Sequence, residues 1–320
     1  MATVEPARRT DQPLVECVPN LSEGRDPDVI SAVADAIRSV EGVALLDVDS
    51  DPWHHRTVYT FVAPPPAVAE AAFALVREAA ARIDLAGHRG EHPRIGAADV
   101  VPFVPLDRLD LGGLRAAGVD ECVRLADRVG ERVAAELGIP VFLYGLAARR
   151  PDRVVPAPFR RGGFEALRDG IARDPGLAPD LGERRTHPTA GATAVGARPL
   201  LVAYNVLLDT DDVAVARGIA REIRTSSGGL PAVQALGFRV AERAQVSTNL
   251  LDPAVTSPAR VFAAVRAAAA SRGVGVRSSE VVGLAPESAL PLDARDSLLL
   301  DEPREAFLLE PKIRRAFGAP

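Results

Sequence analysis

The chain has 320 residues, 47% of them apolar, and a formal net charge of −5. The length suits two domains of about 150 residues rather than one, and the apolar share is ample for a sizeable core. The mild negative balance excludes a globally basic, nucleic-acid-binding surface.

Residues 1–13 are polar and proline-bearing, lack the apolar core of a signal peptide, and read as a disordered leader. Leu14–Val18 is a first strand, and Pro19–Gly24 a turn after it. Asp26-Pro27 opens a helix with a cap and a first-turn proline; apolar Val29, Ile30, Val33, Ala36 and Ile37 carry it to about Val40. Val43–Val48 is a strand and Asp49–His55 a polar loop. Arg56–Val62 alternates with period two, as a half-buried strand does. A long Ala-rich helix runs from Pro64 to about Ile83. After a histidine-bearing loop come a strand at Val100–Val104, a helix over about Asp120–Leu137 and a short strand at Val141–Tyr144. Ala147–Gly182 is irregular, with one short helix near Phe164–Ala172, and is the candidate linker.

The second half starts with a strand at Leu200–Leu207. Asp211 caps a helix to about Arg224, strands follow at Val233–Val240 and Ala244–Leu250, and a helix covers Ser257–Ser271. Both halves therefore read β-α-β-β-α. The expected fold class is α/β (α+β): two related subdomains, each a mixed sheet with helices on one face, with a ligand cleft between them. The boundaries are 14–182 and 183–320. Residues 279–317 add a strand at Val281–Leu284 and two short polar helices. No apolar run reaches membrane-spanning length. Cys17 and Cys122 sit in apolar contexts away from each other and from histidine, so neither a disulfide framework nor a zinc spacing exists. They read as buried thiols of a cytoplasmic protein.

The chemistry concentrates in His88-Arg-Gly-Glu-His92-Pro-Arg-Ile-Gly96, which packs two histidines, two arginines, a carboxylate and two glycines into one loop. Histidine exchanges protons near neutral pH. Gly90 and Gly96 read as backbone positions that let the loop approach a flat ring closely. His54 and His55, with Asp47 and Asp49, make a metal conceivable, but adjacent loop histidines point apart and no His-x-x-x-His helix exists, so the expectation is no metal. Asp49 reads either as a group that orients a histidine or substrate amine, or as an Asx-turn aspartate. Asn20, Ser22 and Glu23 follow the first strand, at a carboxyl end where α/β folds bind ligands; the bland alternative is a turn. Gly191–Gly196 lacks a dinucleotide spacing. The stretch from Gly182 reads as a close-approach surface for a ligand or as an ordinary linker. Arg56 and Arg94 are either clamps for carboxylates or salt-bridged structural arginines. Nearly all positive charge is arginine, Lys312 being the only lysine, and arginine meets carboxylates with a planar fork.

Val15–Gly24, Leu45–Asp49, Arg56–Val62, Gly90–Ala97, Ile139–Tyr144, Pro188–Arg198 and Val246–Leu250 together resemble the motifs of the glutamate formimidoyltransferase family, from about Leu14 to Leu290. The resemblance is to its stand-alone form, without a fused cyclodeaminase domain. It implies transfer of the formimidoyl group from N-formimidoyl-L-glutamate to N5 of tetrahydrofolate, in histidine degradation, with tetrahydrofolate as co-substrate and a homodimer. It also implies that His92 is the catalytic base and that Gly182–Gly191 is the folate-binding segment, with Gly182, His187, Thr189 and Gly191 as contacts. Asn20, Arg56 and Arg94 are the further binding candidates, and Asp49 the group proposed to stabilise the adduct. The alternatives are a related folate-dependent transferase with formylglutamate or another donor or acceptor, and a non-catalytic folate-binding protein. No nucleic-acid or membrane partner is expected.

Overall fold

The computed structural model describes residues 10–90 and 93–319. The chain divides into two units, the first running to Arg198 and taking in Ile313 onward, the second spanning Pro199–Lys312. In the first unit, β1 (Val15–Cys17) and β2 (Asn20–Leu21) are halves of one interrupted strand. They are followed by α1 (Pro27–Arg38), β3 (Ala44–Asp51), β4 (Arg56–Ala63), α2 (Pro65–Arg82), β5 (Ala98–Pro105), α3 (Val119–Leu137) and β6 (Val141–Gly145). Two short helices, α4 (Ala157–Arg160) and α5 (Gly163–Gly170), precede β7 (Thr193–Ala197). Across the sheet the order is β3, β4, the β1/β2 strand, β5, β7, β6. The β5–β7 and β7–β6 pairs are parallel, the others antiparallel.

Helix α1 forms where its cap lies: the Asp26 side chain accepts the N–H groups of Asp28 and Val29, and Pro27 fills the first helical position. Alternation then sorts the sheet. Cys17, Leu21, Tyr59, Phe61, Val101, Phe103, Val195 and Leu143 face one way and pack with Val33, Ile37, Val68, Leu75, Leu125 and Val129 of α1, α2 and α3. On the other face Phe142, Tyr144 and Ala194 pack with Phe159, Leu167 and Ile171. The segment expected to be a linker is thus part of this unit's core. The expected 182/183 boundary also moves to 198/199, because β7 lies inside the first sheet, between β5 and β6. That strand, Thr-Ala-Val-Gly-Ala, is buried at every residue; a strand covered on both faces shows no polar alternation to read.

The second unit runs β8 (Val202–Leu208), α6 (Val213–Ile223), β9 (Val233–Val240), β10 (Arg243–Leu250), α7 (Pro258–Ala270), β11 (Val276–Val282) and α8 (Ala294–Ser297); the boundary at 312/313 falls inside the last helix, α9 (Leu309–Phe317). Its sheet has the order β11, β8, β10, β9, with every pair antiparallel. The expectation of a mixed sheet is therefore corrected here, while the split β-α-β order stands. Ile219, Ile223, Val261 and Val265 of the helices pack on Tyr204, Val206, Val246 and Val281. Asp212, not Asp211, caps α6, and Ser257 caps α7. Among the described residues no helix is long and apolar enough to cross a membrane. Of the expected leader, residues 1–9 lie outside the described residues, and the Asp11 carbonyl accepts from Arg115 Nη1 at 3.3 Å.

Candidate active site

Several of the expected site residues, Asn20, Asp49, Arg56, Arg94 and Gly191 among them, lie at one end of the first sheet. That end is the carboxyl end of β2, as anticipated for Asn20, but because the sheet is mixed it is the amino end of β5 and β7. Asn20 Oδ1 accepts from Arg56 Nε at 2.8 Å, and Asn20 Nδ2 donates to the Val18 carbonyl at 3.1 Å. Arg56 Nη1 donates to Asp99 Oδ2 at 2.9 Å. Asp99 reaches that face through a bulge: Asn20 pairs with Val100 and Leu21 with Ala98, so Asp99 is the extra residue. Its carboxylate is fully buried. Oδ1 takes the Ile95 N–H at 2.9 Å, and Oδ2 also accepts from Arg160 Nη2, which donates to the Pro93 carbonyl at 2.7 Å as well. Burial opposes ionisation of Asp99, yet the Arg160 and Arg56 guanidiniums and the Ile95 N–H hold its carboxyl below the ordinary value.

A second network adjoins it. Arg94 donates through Nε to His88 Nδ1 at 3.0 Å, and through Nη1 and Nη2 to the two Glu165 oxygens at 2.9 and 2.7 Å. That fork holds the Glu165 carboxyl down at about 2. His88 is buried, stacked on His55 with ring centroids 4.3 Å apart, and its Nε2 faces the His55 carbonyl at 3.1 Å. A ring with a guanidinium donor at Nδ1 and a carbonyl at Nε2 carries its proton on Nε2. Burial, with the His55 and Arg94 charges, brings its pKa down to about 4. His88 is therefore a neutral, fully engaged imidazole at neutral pH, suited to holding Arg94 and the β3–β4 hairpin. His92 lies outside the described residues, as does Glu91.

Asp49, on β3, pairs with Val58, which pairs in turn with Asn20. Asp49 and Asn20 therefore share one face two strand spacings apart, roughly 10 Å. The 187–191 segment joins the loop directly. Ala97 N donates to the Ala190 carbonyl and Ala192 N to that of Ile95, each at 2.9 Å, and Gly96 and Gly191 face each other in a bridge. His187 Nδ1 accepts from Ala190 N at 3.0 Å, and the Thr189 carbonyl accepts from Leu85 N at 3.0 Å. Burial lowers the pKa of His187. Gly182 stands apart, at the head of β6 against Pro140 and Ala134.

The glycines of the loop have a different reason than a flat ligand. A Cβ on Gly96 would lie 1.9 Å from the Ala192 carbonyl oxygen, and one on Gly90 2.6 Å from that of His54. Both make room for the protein's own backbone. Gly191 has φ +71° and would place a Cβ 2.2 Å from the Ile95 oxygen. Gly191→Ala adds left-handed strain of about 1–2 kcal/mol to an overpacking cost of about 1–3 kcal/mol. Thermal unfolding should show a loss of several kcal/mol; a midpoint within a degree of the parent would mean that the bridge yields.

Sequence reasoning missed Asp99, Arg160 and Glu165 as site residues. One signal was available for Asp99: a charge opening the apolar run Val100–Val104. Arg160 and Glu165 lie 61 and 71 positions from their partners, and no local pattern announces such contacts. Among the described residues no group of three or more His, Cys, Asp or Glu is placed to hold a metal ion.

Comparison with known proteins places these residues in context. Residues 14–198 match the family model of the formiminotransferase domain, N-terminal subdomain, and residues 203–317 that of the formiminotransferase domain. A protein of Streptococcus pyogenes serotype M1 named glutamate formimidoyltransferase is 45% identical over 279 residues, 87% of this chain and 90% of that one. One of Thermoplasma acidophilum with the same name is 45% identical over 307 residues, 95% and 98% of the two chains. The formimidoyltransferase-cyclodeaminase of Rattus norvegicus is 42% identical over 310 residues, covering 94% of this chain and 55% of the relative.

Proposed function

The chain belongs to the formiminotransferase domain family, and on that premise we propose that it transfers the formimidoyl group of N-formimidoyl-L-glutamate to N5 of tetrahydrofolate, releasing L-glutamate. The observation that carries this reading is the near full-length identity to two proteins that bear the name of this activity. The convergence of Asn20, Arg56, Arg94, His187, Thr189 and Gly191 on one end of one sheet is consistent with it. The enzyme is a transferase of one-carbon metabolism, with tetrahydrofolate as co-substrate. A cytoplasmic homodimer acting in histidine degradation is part of the same proposal.

The chemistry needs one proton acceptor that later becomes a donor. The N5 amine attacks the amidine carbon and becomes positively charged as the bond forms. We assign His92 to remove that proton and to return it to the departing glutamate nitrogen. A general base of this kind contributes roughly 10²–10⁴-fold. Holding the two substrates together contributes up to about 7–11 kcal/mol more. Asp49 is proposed to stabilise the cationic tetrahedral adduct, and Asn20, Gly182, His187, Thr189 and Gly191 to contact the folate. Arg56 and Arg94 remain proposed carboxylate contacts, with the qualification that Arg94 must first exchange its Glu165 partner.

The test is a substrate panel: tetrahydrofolate with formimidoylglutamate, formylglutamate and formimidoylglycine. The expected result is 5-formimidoyltetrahydrofolate from the first donor, at a kcat/KM at least about 10²-fold above the others, the discrimination open to a site that pairs buried polar groups with its substrate. Equal rates with formylglutamate, or no transfer from any donor, would remove the assignment.

A further inference from the structure

Two guanidinium groups converge on a single carboxylate oxygen. Arg56 Nη1 and Arg160 Nη2 both donate to Asp99 Oδ2. The Asp99 side chain is fully buried, and those of Arg56 and Arg160 are only 12% and 16% exposed. Arg160 arrives from the end of α4, and its Nε is buried with no hydrogen-bond partner. A guanidinium so shielded, sharing one carboxylate oxygen with a second, gains from a further anion, because a buried cation is costly until it is paired and hydrogen-bonded. Arg94 contrasts with it. Both of its Nη atoms are matched by the two oxygens of Glu165 in a fork-to-fork pair, which leaves that cation already neutralised.

We propose that Arg160, with Arg56 beside it, is the binding site for a carboxylate of the donor substrate, Asp99 serving as the fixed base on which both guanidiniums are mounted. A carboxylate fits this pair because a guanidinium meets it with a planar fork of N–H donors, and two such groups are held on one oxygen here. The ligand class is a small amino-dicarboxylate, and the assignment rests on the transferase reading, in which the donor and one product carry two carboxylates. Arg160 then sets donor affinity, from a segment whose sequence reads as a linker.

The experiment uses the full chain, titrated calorimetrically with L-glutamate and with glutarate, alongside steady-state kinetics. The wild type is expected to bind both. Arg160→Gln should weaken binding roughly tenfold to a hundredfold, the range of one or two charge-assisted hydrogen bonds. It should raise the KM for the donor by the same factor and leave the KM for tetrahydrofolate within about twofold. Arg160→Lys, which keeps the charge and loses the fork, should fall between the two. Undiminished glutamate binding by Arg160→Gln overturns the proposal, as does a loss confined to the folate KM or to kcat. Should Arg160→Gln fail to fold, Arg160→Lys carries the test, and a glutamate affinity equal to that of the wild type overturns it. Failure of the transferase reading looks different. Glutamate binding that depends on Arg160, without any formimidoyl transfer, supports the carboxylate site and removes the reaction.

Discussion

His92→Ala is expected to lower turnover by roughly 10²–10⁴-fold, with the circular dichroism spectrum and unfolding midpoint unchanged. The magnitude follows from the reaction. Without a base the N5 nitrogen must stay cationic in the adduct, and the leaving nitrogen must depart without a proton. The pH profile gives a second readout. The limb of kcat/KM that reports the general base should disappear with the side chain. A loss of less than about tenfold, or a retained limb, would take His92 out of the base role. His88→Ala makes the contrasting pair. His88 is neutral and engaged at both ring nitrogens, so its removal should cost stability and leave that limb in place.

Asp99→Ala is expected to cost about 3–5 kcal/mol, the range for breaking a buried ion pair and leaving its partners unmatched. For a unit of this size each kcal/mol moves the unfolding midpoint by about 2–4 °C, so a drop on the order of 10 °C should be seen. Three anchors go at once: the Ile95 N–H and the two guanidiniums all lose their acceptor. The acid side of the stability curve should change too. The folded-state pKa of Asp99 lies below its ordinary value, so its contribution is fully present above a pH of about 4. It is lost as pH falls through the lower folded value. In Asp99→Ala that part of the acid sensitivity should be absent. A midpoint within about 2 °C of the parent would show that the two arginines find other acceptors.

The elements that announce themselves locally were legible. Asp26-Pro27 marks the start of α1, and the run Arg56–Val62 gives the bounds of β4 almost residue by residue, although the strand is buried throughout Thr57–Ala63 rather than half-buried. Among the motif residues Asn20 meets Arg56 and Gly191 meets Gly96, while Arg94 is taken up by His88 and Glu165. What stayed hidden depends on long-range neighbours. Thr193–Ala197 falls in the stretch that reads as a ligand surface or a linker until its place between two flanking strands shows it as a buried strand. Asp99 turns toward the site only because of a bulge that the pairing with β2 creates. Arg160 and Glu165 come from a stretch whose Pro, Gly and Arg content suggests a linker, and only the packing of Phe159 and Leu167 under β6 and β7 fixes it in place.

The insertion of β7 between β5 and β6 also dictates an order of assembly. Parallel neighbours that are distant in sequence form late, since the closure entropy of the intervening chain comes before any contact can offset it. During synthesis domains fold from the amino terminus as the chain emerges. β5, α3 and β6 are then all outside the ribosome before residues 193–197 exist to join them. Until that strand arrives, the edges of β5 and β6 that it will cover are unpaired, and open sheet edges are where chains associate wrongly. Gly191 reaches Gly96 at the same moment, so the sheet is closed and the candidate site completed in one late step of the first unit's biosynthesis.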